Sequence, residues 1–276
     1  MGAVFDRRHQ PRRVDAVYDV PTNARRGPVV TMRDKAEYRG GVKTCEQWQA
    51  EFRVLPPSAR RAYLEEHSGL PGPRANTTLA CAVAGMADGP LIRELLDSGD
   101  EFRMMCGAAA SAARGQEPPF LEDAHALASD DRWRVREGVA LGLQLLGDTD
   151  PSALTSIVLT WADDPDPLVQ RAAAAAICEP RLLHAPEAAA IAIVVCRRTT
   201  SHLQRMPVDK RSTPPVRALR QALGYCWSVA VAADPPRGLP AFESLDTHDP
   251  DIEWIVNQNS RKKRLARLLT PAPADG

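Results

Sequence analysis

From Thr44 onward, apolar residues recur at intervals of three and four, in short runs closed by proline, glycine or acidic turns. That spacing collects apolar side chains on one face of an α-helix. Thr44, with Gln47 at the third following position, has the form of a capping box and predicts a helix through Trp48 and Phe52 to Pro56. Ser58–His67 predicts a second helix. The segment HSGLPGPRANTTLA cannot be helical across Gly69–Pro73, and Asn76 or Thr77 caps the next helix, through Leu79, Val83 and Met86. Helices are then expected over Pro90–Asp97, Glu101–Arg114, Pro119–Ala128, Arg132–Leu146, Pro151–Ala162, Pro167–Cys178, Pro186–Arg198, Pro215–Ala233, Leu239–Leu245 and Ile252–Leu268. Many have proline just inside the start and Ser or Asp just before it, as helix N-termini prefer. No convincing period-two strand occurs, and alanine runs such as Ala172–Ala176 favour closely packed helices. The expected class is all-α, with neighbours antiparallel across short connections.

A repeat runs through this series. Laying Asp131–Arg136 over Asp166–Arg171 aligns Trp133 with Leu168, Arg136 with Arg171 and Val139 with Ala174. The offset is about 35 residues, the scale of a paired-helix repeat. The turn around Asp249-Pro250-Asp251, before Ile252 and Trp254, restarts the pattern of Asp164-Pro165-Asp166. A helical hairpin of this size cannot bury its apolar face alone, so stacked neighbours must cover it. The expected architecture is a right-handed α-solenoid of helical hairpins.

Length and composition refine the domain plan. The 276 residues are 44% hydrophobic and 25% charged, enough for a buried core. Residues 1–43 carry ten Lys/Arg against five Asp/Glu amid HQPRR, NARRGP and YRGG, so they are expected to form a basic, disordered leader. Residues 44–269 are the expected repeat domain and 270–276 a disordered tail. The start MGAVFDRRHQPRR has no apolar stretch of the signal-peptide kind, and the longest apolar segment, around Ala185–Cys196, is too short to cross a bilayer. Six cysteines form no CxxC pair, which points to reduced core thiols and a cytoplasmic setting rather than to a zinc or dithiol site.

Net charge is zero, which excludes a generally basic nucleic-acid binder, yet the charge is uneven. Arg197–Arg220 holds seven basic residues, among them Arg217 and Arg220, against Asp209 alone. Arg261, Lys262, Lys263 and Arg264 form a further basic run. If the two patches share a concave face, they suit phosphate. Arg136 and Arg171 follow acidic turns, where an arginine either reaches a loop aspartate or carbonyl of the adjacent repeat or faces a ligand. Trp133 and Trp254 either wedge between repeats, with the indole N–H on a carbonyl, or grip a partner. Asn259 falls on the apolar stripe of the last helix and should be buried with its hydrogen bonds satisfied. The scattered histidines show no HExxH spacing, and no GxSxG, P-loop or GxGxxG motif occurs.

DDRWRVREGVALGL and DDPDPLVQRAAAAAI resemble HEAT repeats. Within that superfamily, LASDDRWRVREGVALGLQLL also resembles a helix of the AlkD-like DNA alkylation-repair glycosylases. The resemblance covers Leu127–Cys178 and implies a concave helical surface, with Trp133 and Arg136 facing DNA. Those glycosylases carry their catalytic aspartate in a Trp-Trp-Asp type segment about one repeat earlier. Here that region reads GDEFRMMCGAAASAARG, with Asp100 and Glu101 before the helix and no paired tryptophans, and Asp100 reads as a helix cap. The expected function is therefore a non-enzymatic scaffold that binds a protein or peptide on its concave face. The alternative is an AlkD-like binder of duplex DNA or a diverged glycosylase. Neither reading calls for a small-molecule cofactor, a metal or a membrane.

Overall fold

The computed structural model describes residues 43–270; the expected leader and tail lie outside them, apart from Lys43 and Thr270. The described residues form fourteen α-helices and no strand. These are α1 (Cys45–Arg53), α2 (Pro57–His67), α3 (Thr77–Ala84), α4 (Gly89–Leu96), α5 (Glu101–Ala113), α6 (Pro118–Leu127) and α7 (Trp133–Thr149). They continue as α8 (Pro151–Trp161), α9 (Pro167–Ile177), α10 (Pro186–Arg205), α11 (Pro214–Ala233), α12 (Pro235–Glu243), α13 (Pro250–Ser260) and α14 (Lys263–Leu269). The chain is all-α, and among the described residues no helix is long and apolar enough to cross a membrane.

Local chemistry starts the helices where the sequence marks them. The Thr44 capping box is formed, with Gln47 reaching back to the Thr44 N–H. Side chains of Asn76, Asp88, Asp100, Asp150, Asp166, Asp234 and Asp249 each accept a first-turn backbone N–H. Each cap satisfies donors that a helix leaves open at its start.

Helices α3, α5, α7, α9, α11 and α13 form a row in which each packs on the next. The α5–α7 and α11–α13 pairs run parallel. Gly138 and Gly142 of α7 lie against Met105 and Ala109 of α5, and on α11 and α13 Arg220 meets Asp251 while Leu223 meets Asn259. Helices α6, α8 and α10 each touch the row members before and after them, and α8, α10 and α12 pack on one another as a second row. One core cluster gathers Trp48, Phe52, Leu79, Ile92, Met105 and Phe120; the other runs from Met104 to Leu265. Helix α5 belongs to both, with Met105, Cys106, Ala109 and Ala110 on one side and Met104, Ala108 and Ala112 on the other.

Several boundaries differ from the sequence pattern; α12, expected over Leu239–Leu245, starts at Pro235 behind the Asp234 cap. Helix α10 runs on to Arg205, because Thr199, Thr200 and Leu203 are buried. The helix expected over Ile252–Leu268 is two helices, separated at Arg261-Lys262, where Lys262 is extended (φ −75°, ψ 123°). The break turns Leu265 into the core, which the interrupted apolar stripe of a straight helix would not achieve.

Candidate interaction surface

Three arginines crowd the start of α7, of which the sequence singled out Arg136. Arg132 closes a two-pronged pair with Asp130 (Nε–Oδ1 2.8 Å, Nη2–Oδ2 2.7 Å) and donates to the Gly99 carbonyl one hairpin back (3.2 Å). Arg134 reaches two earlier segments: it pairs with Glu101 at the start of α5 at 3.1 Å and donates to the Gly72 carbonyl, between α2 and α3, at 3.4 Å. Arg136 instead folds back on its own turn, donating to the Asp130 and Asp131 carbonyls (2.5 and 2.9 Å). The adjacent-repeat contact expected of it is made by Arg171, whose Nη1 donates to the Arg136 carbonyl at 3.2 Å. Both arginines thus satisfy carbonyls. Burial, followed by the Arg171 charge, pulls the Arg136 pKa down.

Trp133 does not wedge between hairpins. It is 44% exposed, with the Arg134 guanidinium 4.8 Å from its ring centroid. Its repeat equivalent, Leu168, is buried. Arg134, missed by sequence reasoning, is the residue that holds this platform; its side chain is only 14% exposed. Beside it lies a cavity of about 440 Å³ lined by Glu65, Ser68, Leu70, Pro71, Asp100, Glu101, Phe102 and Arg134. Asp100, where the glycosylase resemblance would put a catalytic carboxylate, accepts the Arg103 N–H at 2.8 Å as the cap of α5. Farther along α7, Glu137 sits in the field of Arg171 and Arg134, yet burial dominates and raises its pKa.

The remaining candidates lie on α11, α13 and α14. Trp254 packs its six-membered ring over Gly224, close to the expected wedge, while Arg220 stacks 4.8 Å from its centroid and pairs with Asp251 at 2.5 Å. The expected basic patch Arg197–Arg220 is therefore partly neutralised: Arg198 holds Asp163, and Arg211 holds Asp249 and Asp251. Arg217 is exposed and has no carboxylate partner among the described residues. Arg261 and Lys263 are also exposed. Lys262 and Arg264 gather on Tyr225, at 5.8 and 5.0 Å from its centroid, and Arg264 Nη2 donates to the Tyr225 hydroxyl at 3.1 Å. Tyr225, 42% exposed, was also missed; a tyrosine inside LGYCW, two residues from Trp227, reads as core in sequence.

Asn259 is buried as expected, accepting the Ser228 N–H and donating to the Leu223 and Ile255 carbonyls at 2.8–2.9 Å. A second cavity, of about 430 Å³, lies by His125 and Trp161, where His125 Nε2 meets Asp164 Oδ2 at 2.7 Å. The thiols of Cys106, Cys178, Cys196 and Cys226 are buried, and Cys178 and Cys196 stand 3.6 Å apart. Burial pushes the Cys81 thiol up to about 11, so it is not a ready nucleophile. Among the described residues, no group of His, Cys, Asp and Glu side chains is arranged to hold a metal.

No protein-family model, curated protein or solved structure matches this chain.

Proposed function

We propose that the described residues form a right-handed α-solenoid of HEAT-like hairpins that acts as a non-enzymatic interaction module for a protein or peptide. Support for the repeat reading comes from polar links that recur at nearly constant separation: 33 residues for Arg134–Glu101, 35 for Arg171–Arg136, 37 for Ser129–Asp166 and 39 for His125–Asp164. Each link ties one hairpin to the next, the nearest-neighbour pattern of a stacked array.

The observation that carries the functional reading is Trp133. Its helix start engages Arg132, Arg134 and Arg136 in structural bonds and leaves the indole open on a rigid guanidinium stack beside a cavity. A large aromatic held this way loses little entropy when a partner covers it, which is why tryptophan dominates binding hot spots. The test is quantitative affinity capture from the native cells with wild type and Trp133→Ala, after matching thermal melts. The expected result is a stoichiometric protein or peptide that binds wild type and is at least about tenfold depleted on the variant, as loss of a hot spot costs. Identical recovery on both baits overturns the reading.

The base-excising alternative has less support, since Asp100 is engaged as a cap and Phe102, the aromatic beside it, is buried in the core. Release of alkylated bases from a methylated duplex would reinstate it and displace the module reading.

A further inference from the structure

Charge is partitioned along the described fold. Residues 43–196 carry thirteen Lys/Arg against twenty-two Asp/Glu, whereas residues 197–270 carry thirteen against seven. In the acidic part most arginines are used internally: Arg93, Arg103, Arg114, Arg132, Arg134 and Arg181 each hold a carboxylate. The last turn of the chain is different. Arg261, Lys262, Lys263, Arg264 and Arg267 fall within seven residues and have no carboxylate partner among the described residues. Cations so crowded repel one another, and nothing in the α13–α14 packing requires them. The core there is completed by Ile252, Ile255, Asn259 and Leu265.

The break between α13 and α14 decides where this charge goes. In a straight helix the basic residues would be spread around the circumference. With Lys262 extended, Lys262 and Arg264 converge on one exposed ring of α11, and the Arg264 guanidinium both stacks on Tyr225 and donates to its hydroxyl. The result is an exposed aromatic–guanidinium platform, flanked in sequence by the exposed Arg261 and Lys263.

We propose that this platform binds a single-stranded nucleic acid. Each nucleotide brings a flat π-face and a diester anion, which match a stacking surface with adjacent cations; arginine planes stack bases as aromatic rings do. An acidic peptide supplies only the charge and leaves the platform unused. A duplex keeps its bases stacked internally and likewise offers nothing to Tyr225. DNA and RNA strands share the required chemistry. The site is independent of Trp133, so it stands or falls apart from the protein-partner reading.

Fluorescence anisotropy with the full chain tests it, using labelled single-stranded DNA and RNA of about twelve nucleotides. The corresponding duplex and a polyglutamate peptide of equal charge serve as comparisons. Between about 50 and 200 mM salt, three or four phosphate contacts predict a loss of roughly 20- to 50-fold in single-strand affinity. Lys262→Ala with Arg264→Ala flattens that dependence and weakens binding at least about tenfold. Tyr225→Ala weakens it by about five- to 100-fold, while Tyr225→Phe keeps the ring and most of the affinity. Trp133→Ala leaves it unchanged, and all variants melt with wild type. No single-strand binding overturns the proposal. So does binding untouched by the double variant, polyglutamate bound as tightly as the strands, or duplex bound equally well with Tyr225→Ala silent.

Discussion

Arg136 and Glu137 are adjacent in sequence, and burial disfavours the charged form of both. Arg136 is held by two carbonyls, while burial and the nearby Arg171 pull its pKa down. Glu137 has two arginines within electrostatic reach but forms an ion pair with neither among the described residues, so desolvation prevails and its pKa rises. A carboxyl whose folded pKa lies above its unfolded value binds more protons when folded. Its ionisation therefore removes stability as pH climbs from the unfolded pKa, about 4.3, through the folded one. Glu137→Gln should accordingly melt at a higher temperature than wild type at pH 7, and the gain should vanish near pH 4. Calorimetric melts at both pH values check this; an equal gain at both, or none at pH 7, would contradict it. Asn259 was readable from sequence because a polar residue on an apolar stripe must find partners. Trp133 was not, because its exposure depends on where the preceding hairpin ends.

At the scale of elements, the α5–α7 contact is the closest in the row. Gly138 and Gly142 let the α7 backbone approach α5 directly; a Cβ on Gly142 would meet the Ala109 carbonyl and lie 2.7 Å from the Ala112 Cβ. Helix propensity alone would favour alanine at this position by up to about 1 kcal/mol. The neighbour here is backbone rather than a movable side chain, so Gly142→Ala should destabilise by about 1–3 kcal/mol instead, read as a lower urea midpoint. A neutral or higher midpoint would mean that the helices separate at little cost. The elements themselves were largely legible: proline and capping residues located most helix starts to within a residue or two, although the Asp234-Pro235 start of α12 was placed at Leu239. The α13–α14 break was not, because every residue of NSRKKRLARLL tolerates a helix and only the burial of Leu265 selects the turn.

For the molecule as a whole, two core clusters joined through α5 imply a gradient of stability. Helices α5, α7, α9 and α11 are covered by row neighbours and by the second row, whereas α1, α2 and α14 have fewer neighbours. Native-state hydrogen exchange should find the slowest amides in α5, α7, α9 and α11 and the fastest in α1, α2 and α14. Protection of α14 equal to that of α5 would show a single cooperative unit instead. The sequence by itself determined the all-helical class, most caps and the burial of Asn259. Those follow from spacing and from backbone chemistry within a few residues. Tertiary structure alone decided which arginines became struts, that Trp133 stays open while Leu168 is covered, and that Tyr225 gathers Lys262 and Arg264. Several of these outcomes join groups 30 or more residues apart in sequence, as Arg134 and Glu101 are at 33 and Arg264 and Tyr225 at 39.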